Sequence, residues 1–164
     1  MEFPVSPAGW MLFGGSRRRC ALGRAGAVAD KREGDGGTPV GLLPLRRVFY
    51  RADRLAAPAT GLALRPLAPD DGWCDAPADL AYNRLVKHPW PARAERLWRE
   101  DGLYDLIVEL GWNDAPIVPG RGSAIFLHVA RPDWGPTEGC VALALPDLLA
   151  LLALCRPGDA LRVG

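Results

Sequence analysis

The stretch Ala124-Ile125-Phe126-Leu127-His128-Val129 decides the fold prediction, because it is a short apolar run of β-forming residues that carries a histidine. Such a run is typical of a buried β-strand. The motif Thr137-Glu138-Gly139-Cys140-Val141 follows it and places Cys140 twelve residues after His128. Residues 131–136 contain two prolines and a glycine, which predicts a loop. A single loop can therefore bring a histidine and a cysteine together.

His128 and Cys140 form a candidate nucleophilic pair. A thiolate is a strong nucleophile, and an imidazole within hydrogen-bond reach can take its proton and hold the resulting charge. Gly139 leaves the backbone N–H groups around Cys140 free to face the oxygen of a substrate carbonyl as it becomes negative. We therefore expect Cys140, alone among the four cysteines, to have a depressed pKa. The alternative interpretation is an inert buried cysteine and a core histidine, which is the commoner outcome for an isolated pair.

The remaining pattern predicts a mainly β, or β-rich α+β, fold. Trp10 to Phe13 and residues 18–23 are predicted to pair as a hairpin around Gly14-Gly15. Apolar runs predict further strands, and the stretch after Cys140 favours another strand or the approach to a helix. The further strand candidates are residues 47–51, 62–64, 103–110 and 159–163.

Two segments are predicted to be helices, residues 92–101 and 146–155. Pro146 suits a first helical turn, and Arg156-Pro157-Gly158 is typical of a helix end. Residues 66–91 are dense in Pro, Asp and Trp, which indicates an elaborated loop region over the site. With half of its 164 residues apolar, the chain is expected to form a single domain over residues 1–164.

These motifs resemble the L,D-transpeptidase catalytic domain, or YkuD family. The signature of that family is a histidine followed, after a variable loop, by Ser or Thr, any residue, Gly, Cys and an aliphatic residue, and His128 with residues 137–141 fits it. An earlier landmark is a Thr-Pro-x-Gly turn that enters a strand, as in Thr38-Pro39-Val40-Gly41, with Lys31 upstream. The resemblance covers about residues 10–163. It implies a β-sandwich with a few short helices, including one near the C-terminus.

The resemblance also implies roles for individual residues. Cys140 would be the nucleophile, and His128 the general base, oriented by a backbone carbonyl. Thr137 would line the site. From the residues themselves, the other expected substrate-binding residues are Glu138, Gly139, Arg121 and Trp134, with Arg121 expected to point from the loop before the His128 strand toward a substrate carboxylate.

The implied reaction is attack on the amide between a meso-diaminopimelyl-type L-centre and a terminal D-amino acid of a peptidoglycan stem peptide. A thioester on Cys140 would then pass its acyl group to an amine or to water, as an L,D-transpeptidase or an L,D-carboxypeptidase. The alternative is a non-catalytic or divergent module that binds a peptide or peptidoglycan fragment.

Two positions depart from the family pattern. Glu138 stands where many members carry histidine, and Ala142 where many carry arginine. The loop between His128 and Cys140 is also short for the family. We therefore expect weaker handling of anionic stem peptides. The non-catalytic alternative would be favoured if the Glu138 carboxylate raised the pKa of the Cys140 thiol and so blocked thiolate formation.

Charge and cysteine content narrow the function classes. A net charge of +1 argues against a nucleic-acid surface, and residues 17–19, three arginines, are predicted to be a solvated strand edge. Four scattered cysteines indicate neither a zinc site nor a disulfide framework, so no metal or cofactor is expected. No apolar stretch is long enough for a membrane span, and no export signal is evident. The sequence thus favours the cytoplasm, the family implies periplasm or cell wall, and the oligomeric state stays open.

Overall fold

The computed structural model describes residues 1–164, with 37% of them in strands and 6% in helix. The predictions of a mainly β fold and of a helix near the C-terminus are confirmed. The elements are β1 Glu2–Ser6, β2 Trp10–Phe13, β3 Ser16–Ala21, β4 Ala27–Val28, β5 Thr38–Pro39, β6 Gly41–Tyr50, β7 Ala63–Pro66, β8 Asp71–Cys74, β9 Leu85–Lys87, β10 Ala94–Arg96, β11 Leu106–Leu110, β12 Phe126–Val129, β13 Val141–Leu143, α1 Leu145–Leu154 and β14 Ala160–Val163.

Eight strands form a sheet that closes on itself. Its order is β11-β12-β13-β3-β2-β1-β14-β6, and β6 pairs in turn with β11. This closure depends on the length of β6, because residues 41–44 pair with β14 and residues 45–50 reach β11. We call these eight strands the ring. The expected sandwich therefore takes the form of one continuous sheet. Strand β7 extends it by pairing in parallel with residues 47–50 of β6.

The interior of the ring is a cluster of 23 buried residues, here called the ring core. Strands contribute every second residue to it, because successive side chains of a strand point to opposite faces. Helix α1 adds Leu148, Leu151 and Leu152, and Pro146 lies in its first turn as predicted. The helix has ten residues, and no helix of the structure is long and apolar enough to cross a membrane.

A second, three-stranded sheet has the order β10-β8-β9 and is here called the small sheet. It contributes to a separate cluster of nine buried residues, the outer cluster, which includes Trp73, Phe126 and Cys140. The rings of Trp73 and Phe126 meet edge to face at 5.2 Å. Asp71 anchors the small sheet: burial would raise its pKa, but hydrogen bonds from Arg65 and Lys87 hold the pKa at about 2.

Two predictions of local structure are wrong. Residues 92–101 form no helix, because Ala94–Arg96 pairs with β8 and this tertiary pairing overrides helix propensity. Residues 66–91 are more than a loop region, since they contain β8 and β9. The arginines 17–19 do lie at a strand edge, because β2 pairs with them on one side while β13, on the other side, pairs only with Cys20 and Ala21.

Candidate active site

Strands β12 and β13 place the predicted pair on one face of the ring. They run parallel, with Leu127 opposite Val141 and His128 opposite Ala142. Leu127 and Val141 belong to the ring core, whereas His128 and Cys140 line a cleft on the other face. Since Cys140 precedes Val141, the nucleophile and the histidine lie diagonally across two hydrogen-bonded strands.

The cleft has a volume of about 470 Å³ and carries mostly polar and charged residues. Its floor comes from β12 and β13, and its walls come from the segment after β4, from β10 and its flanks, and from the loop that follows β12. Its charged and titratable lining residues are Lys31, Glu33, Asp75, Arg93, Glu95, Arg99, Tyr104, His128, Arg131, Glu138 and Cys140.

The Cys140 thiol is buried, hydrogen-bonded and neutral. Its sulfur donates to the carbonyl of Ala124 at 3.3 Å and accepts from the N–H of Phe126 at 3.4 Å. Burial raises the pKa of Cys140 to about 12, and the positive charge of Lys31 only partly opposes that rise. The expectation of a depressed pKa for Cys140 is therefore wrong, because burial is the largest contribution. The pKa values of Cys20, Cys74 and Cys155 are also raised by burial.

His128 is held as a neutral base. Its Nδ1 lies 2.9 Å from the carbonyl oxygen of Val129. A carbonyl only accepts hydrogen bonds, so Nδ1 carries the proton and Nε2 keeps its lone pair. Burial lowers the pKa of His128 to about 4. The ring of Tyr104 packs edge to face against the imidazole, with 5.2 Å between the ring centroids. The hydrogen bond to Val129 fixes the tautomer of His128, and the contact with Tyr104 fixes the orientation of the imidazole plane.

Thr137 organises the turn that carries the nucleophile. Its hydroxyl donates to the carbonyl of Cys140 at 2.6 Å and accepts from the N–H of Gly139 at 3.1 Å. The hydroxyl of Thr38 lies 3.5 Å from the same carbonyl. The backbone N–H of Cys140 has no hydrogen-bond partner in the protein. The turn therefore leaves one backbone donor available beside the sulfur.

The glycine-rich segment before β5 packs directly behind this turn. Gly139 has φ +138°, and a Cβ there would lie 2.8 Å from the carbonyl oxygen of Gly37. A Cβ at Gly23 would lie 2.2 Å from the carbonyl oxygen of Gly36. The backbone around Gly23, Gly36-Gly37 and Gly139 thus packs together without side chains between the segments. This close packing fixes the position of the turn that carries Cys140.

We expect Gly139→Ala to destabilise the protein by about 1–3 kcal/mol, because it combines an unfavourable φ with a backbone clash. Thermal denaturation measures the effect. Gly14→Ala is the matched control, since Gly14 has φ +54° and nothing lies within 4 Å of a Cβ built there. If the free energy of unfolding falls equally in both variants, the close contact with Gly37 does not contribute to the destabilisation.

The structure brings only some of the expected substrate-binding residues to the cleft. Thr137 and Glu138 line it, and the side chain of Glu138 is 81% exposed and 3.2 Å from Arg24. Arg121 is exposed and does not line the cleft. Trp134 also lies outside the cleft lining, with the guanidinium of Arg19 over its ring at 4.8 Å.

Glu95 and Tyr104 are cleft residues that the sequence did not reveal. The Tyr104 hydroxyl donates a short hydrogen bond to Oε1 of Glu95. Burial raises the pKa of Glu95 to about 6. No local pattern marks these residues, because Glu95 reaches the cleft only through the pairing of β10 with β8.

The Glu138 carboxylate is not a cause of the raised pKa of Cys140. The negative charge that contributes to the raised pKa of Cys140 belongs to Glu95. Ala142 is 1% exposed and lines the cleft floor opposite His128. An arginine at this position would therefore extend into the cleft and not into the ring core.

Comparison with known proteins adds one match. The sequence fits the family described as YkuD, L,D-transpeptidase catalytic domain, over residues 12–163. Neither a search of curated proteins nor a search of solved structures finds a match to this chain. The family match covers the ring from the middle of β2 to β14 and all of the cleft lining, including the histidine and cysteine motifs. The chain belongs to the YkuD family of L,D-transpeptidase catalytic domains.

Proposed function

We propose that this protein is a cysteine acyltransferase that acts on peptidoglycan stem peptides, with Cys140 as nucleophile and His128 as general base. The observation that carries the proposal is the shared cleft face of β12 and β13, where a thiol and a neutral imidazole with a fixed tautomer lie diagonally. Family membership supplies the substrate class, since the family acts on peptidoglycan. The protein would act as one domain over residues 1–164.

The first half-reaction begins from the neutral pair. The sulfur of Cys140 attacks the carbonyl carbon of the amide that precedes a terminal D-amino acid, while its proton moves to Nε2 of His128. Proton transfer accompanies attack, because a thiol with a pKa of about 12 is not ionised beforehand. The free N–H of Cys140 would donate to the carbonyl oxygen as it becomes negative.

Loss of the leaving amine completes the first half-reaction, and attack on the thioester then releases the product. The imidazolium gives its proton to the leaving amine, the C–N bond breaks, and an acyl thioester remains on Cys140. An amine or a water molecule then attacks the thioester and transfers a proton to His128, and the thiol is restored. Attack by an amine makes a cross-link, and attack by water makes a shortened peptide.

The test is detection of the acyl-enzyme. Incubation with a carbapenem or a stem tetrapeptide, followed by intact-mass and peptide mass spectrometry, should show one acyl adduct on Cys140. Released D-alanine reports acylation in either case, and the acyl product, a cross-linked or a shortened peptide, separates transfer from hydrolysis. Adduct formation on a cysteine other than Cys140, or a requirement for added metal, would contradict the proposal.

Selective alkylation of Cys140 is expected even though its pKa is high. Cys140 alone among the four cysteines lines the cleft, so iodoacetamide should reach it first. The labelling rate should rise steeply with pH, because only the thiolate reacts. Digestion and mass spectrometry after short pulses measure the order of labelling, and earlier modification of Cys20, Cys74 or Cys155 would refute the expected access.

A peptide- or peptidoglycan-fragment-binding module is the second candidate function. The observation that favours it is the thiol itself, which is buried, hydrogen-bonded to two backbone groups and neutral. A binding module should hold a stem peptide in calorimetry without releasing D-alanine or forming a covalent adduct. The acyl-enzyme experiment therefore separates the two candidates.

A further inference from the structure

Glu95 is the acid of the cleft that has no basic partner. The other three acidic residues of the lining each have a guanidinium within 4 Å. Those pairs are Asp75 with Arg93 at 3.0 Å, Glu138 with Arg24 at 3.2 Å, and Glu33 with Arg93 at 3.9 Å. Glu95 lines the same cleft and forms no ion pair within that distance. A mostly buried carboxylate without a counterion is unfavourable, so Glu95 is the acid of the lining that gains most from a cationic ligand.

The two oxygens of Glu95 have different surroundings. Oε1 accepts the hydrogen bond of the Tyr104 hydroxyl, whereas Oε2 has no partner in the protein. Tyr104 is itself fixed against the ring of His128. Arg99, whose positive charge acts on Glu95 from a distance, lies over the Tyr104 ring at 5.0 Å and is paired with Asp101. One carboxylate oxygen is therefore held in place and the other is available to the cleft.

We infer that the open oxygen of Glu95 binds a primary ammonium group of the ligand beside the nucleophile, which makes Glu95 a specificity-determining residue. This inference rests on the proposed function, because it assigns part of the same cleft. An ammonium group offers three donors and a full positive charge, and charge-assisted hydrogen bonds of this kind are the strong ones. An acyl donor that contains a diamino acid presents such a group close to the amide that is cut.

Ligand binding at Glu95 would also act on the nucleophile. The negative charge of Glu95 is, after burial, a cause of the raised pKa of Cys140. A bound ammonium cancels that charge, so the thiolate becomes easier to form when the correct ligand is present. A ligand of the same shape with a neutral amide would lack this effect.

The first arm of the test measures binding in the Cys140→Ala background, where no turnover occurs. The probes are L-Ala-γ-D-Glu-L-Lys-D-Ala and the same peptide with Nε-acetyl-lysine. Calorimetry should show ~10-fold or more weaker binding after acetylation, the usual loss for a charge-assisted contact. Glu95→Gln should remove this preference, and Tyr104→Phe should reduce it. The matched control Glu100→Gln, at a carboxylate that is 83% exposed outside the cleft, should retain it.

The second arm needs no peptide, so it separates this inference from the proposed function. The alkylation rate of Cys140 is followed against pH in methylammonium chloride and in sodium chloride at equal ionic strength. Methylammonium should shift the titration of Cys140 to lower pH in the wild type and not in Glu95→Gln. A preference that survives in Glu95→Gln, or no effect of the ammonium group in either arm, overturns the inference. Lack of D-alanine release with an intact ammonium effect would overturn only the proposed function.

Discussion

Replacing Cys140 with alanine is expected to lower kcat/KM for a stem tetrapeptide by roughly 10⁴-fold or more, because no other group can form the thioester. D-alanine release, measured by a coupled assay or by mass spectrometry, reports the loss. The fold should persist, since the change removes one sulfur atom from the edge of the outer cluster. Peptide binding should persist as well, because the cleft walls are unchanged.

The matched controls are Cys20→Ala and Cys155→Ala. Both residues are buried thiols of the ring core and neither lines the cleft, so their variants should keep wild-type turnover per folded molecule. Activity that survives in Cys140→Ala and disappears in a control would place the nucleophile elsewhere. Circular dichroism of all three variants guards against loss of fold as the cause.

His128→Ala is expected to slow acylation by ~10²-fold or more, the usual contribution of a positioned acid–base group. Pre-steady-state mass spectrometry of the carbapenem adduct measures the step directly. His88→Ala is the control, because His88 is the other histidine of the chain and lies outside the cleft lining. An unchanged rate in His128→Ala together with a slow rate in His88→Ala would show that the base has been misassigned.

The same variant should change how stability depends on pH. Burial lowers the pKa of His128 from 6.5 to about 4, so between these values the unfolded chain binds a proton that the folded chain does not. Wild-type stability attributable to His128 is thus complete above pH 6.5 and falls by about 3 kcal/mol as the pH drops toward 4. His128→Ala should lack this loss in urea titrations at different pH. Its absence in the wild type would show that the imidazole is not desolvated.

Glu95 contributes in the opposite direction. Burial raises the pKa of Glu95 from 4.5 to about 6, so the folded protein takes up this proton before the unfolded chain does. Acidification from pH 6 to 4.5 therefore relieves a penalty that Glu95 imposes at neutral pH. The two residues partly cancel in the wild type, and the difference between wild type and His128→Ala isolates the histidine.

The parts of the fold that the sequence predicted well are those encoded by local pattern. The hairpin around Gly14-Gly15, the strand with His128 and the leucine-rich helix each have a clear periodicity or turn signal, and the structure contains all three. The small sheet could not be predicted from the sequence, because its strands have no clear periodicity or turn signal. Strand β10 reads Ala-Glu-Arg, three good helix formers, and it becomes a strand only by pairing with distant residues of β8.

The candidate site divides in the same way. His128 and Cys140 could be identified from spacing and motif, because the strands that carry them are neighbours in sequence and in space. Glu95 and Tyr104 could not, since their position depends on how the small sheet covers the ring. Arg121 and Trp134 were predicted from their proximity in sequence to the motifs. Proximity in sequence does not determine where a side chain points. Trp134 has φ +60°, and its ring contacts Arg19 outside the cleft lining.

The alternation of β12 and β13 between ring core and cleft has a consequence for how this protein can diversify. Leu127, Val141 and Leu143 maintain the scaffold, while Ala142 lies on the opposite face of β13 and Glu138 lies in the turn before it, both lining the cleft outside the ring core. Substitutions on the cleft side can therefore accumulate with little effect on the interior packing. A lineage can exchange one substrate for another by changing cleft residues, while the scaffold that holds the histidine and the cysteine stays constant.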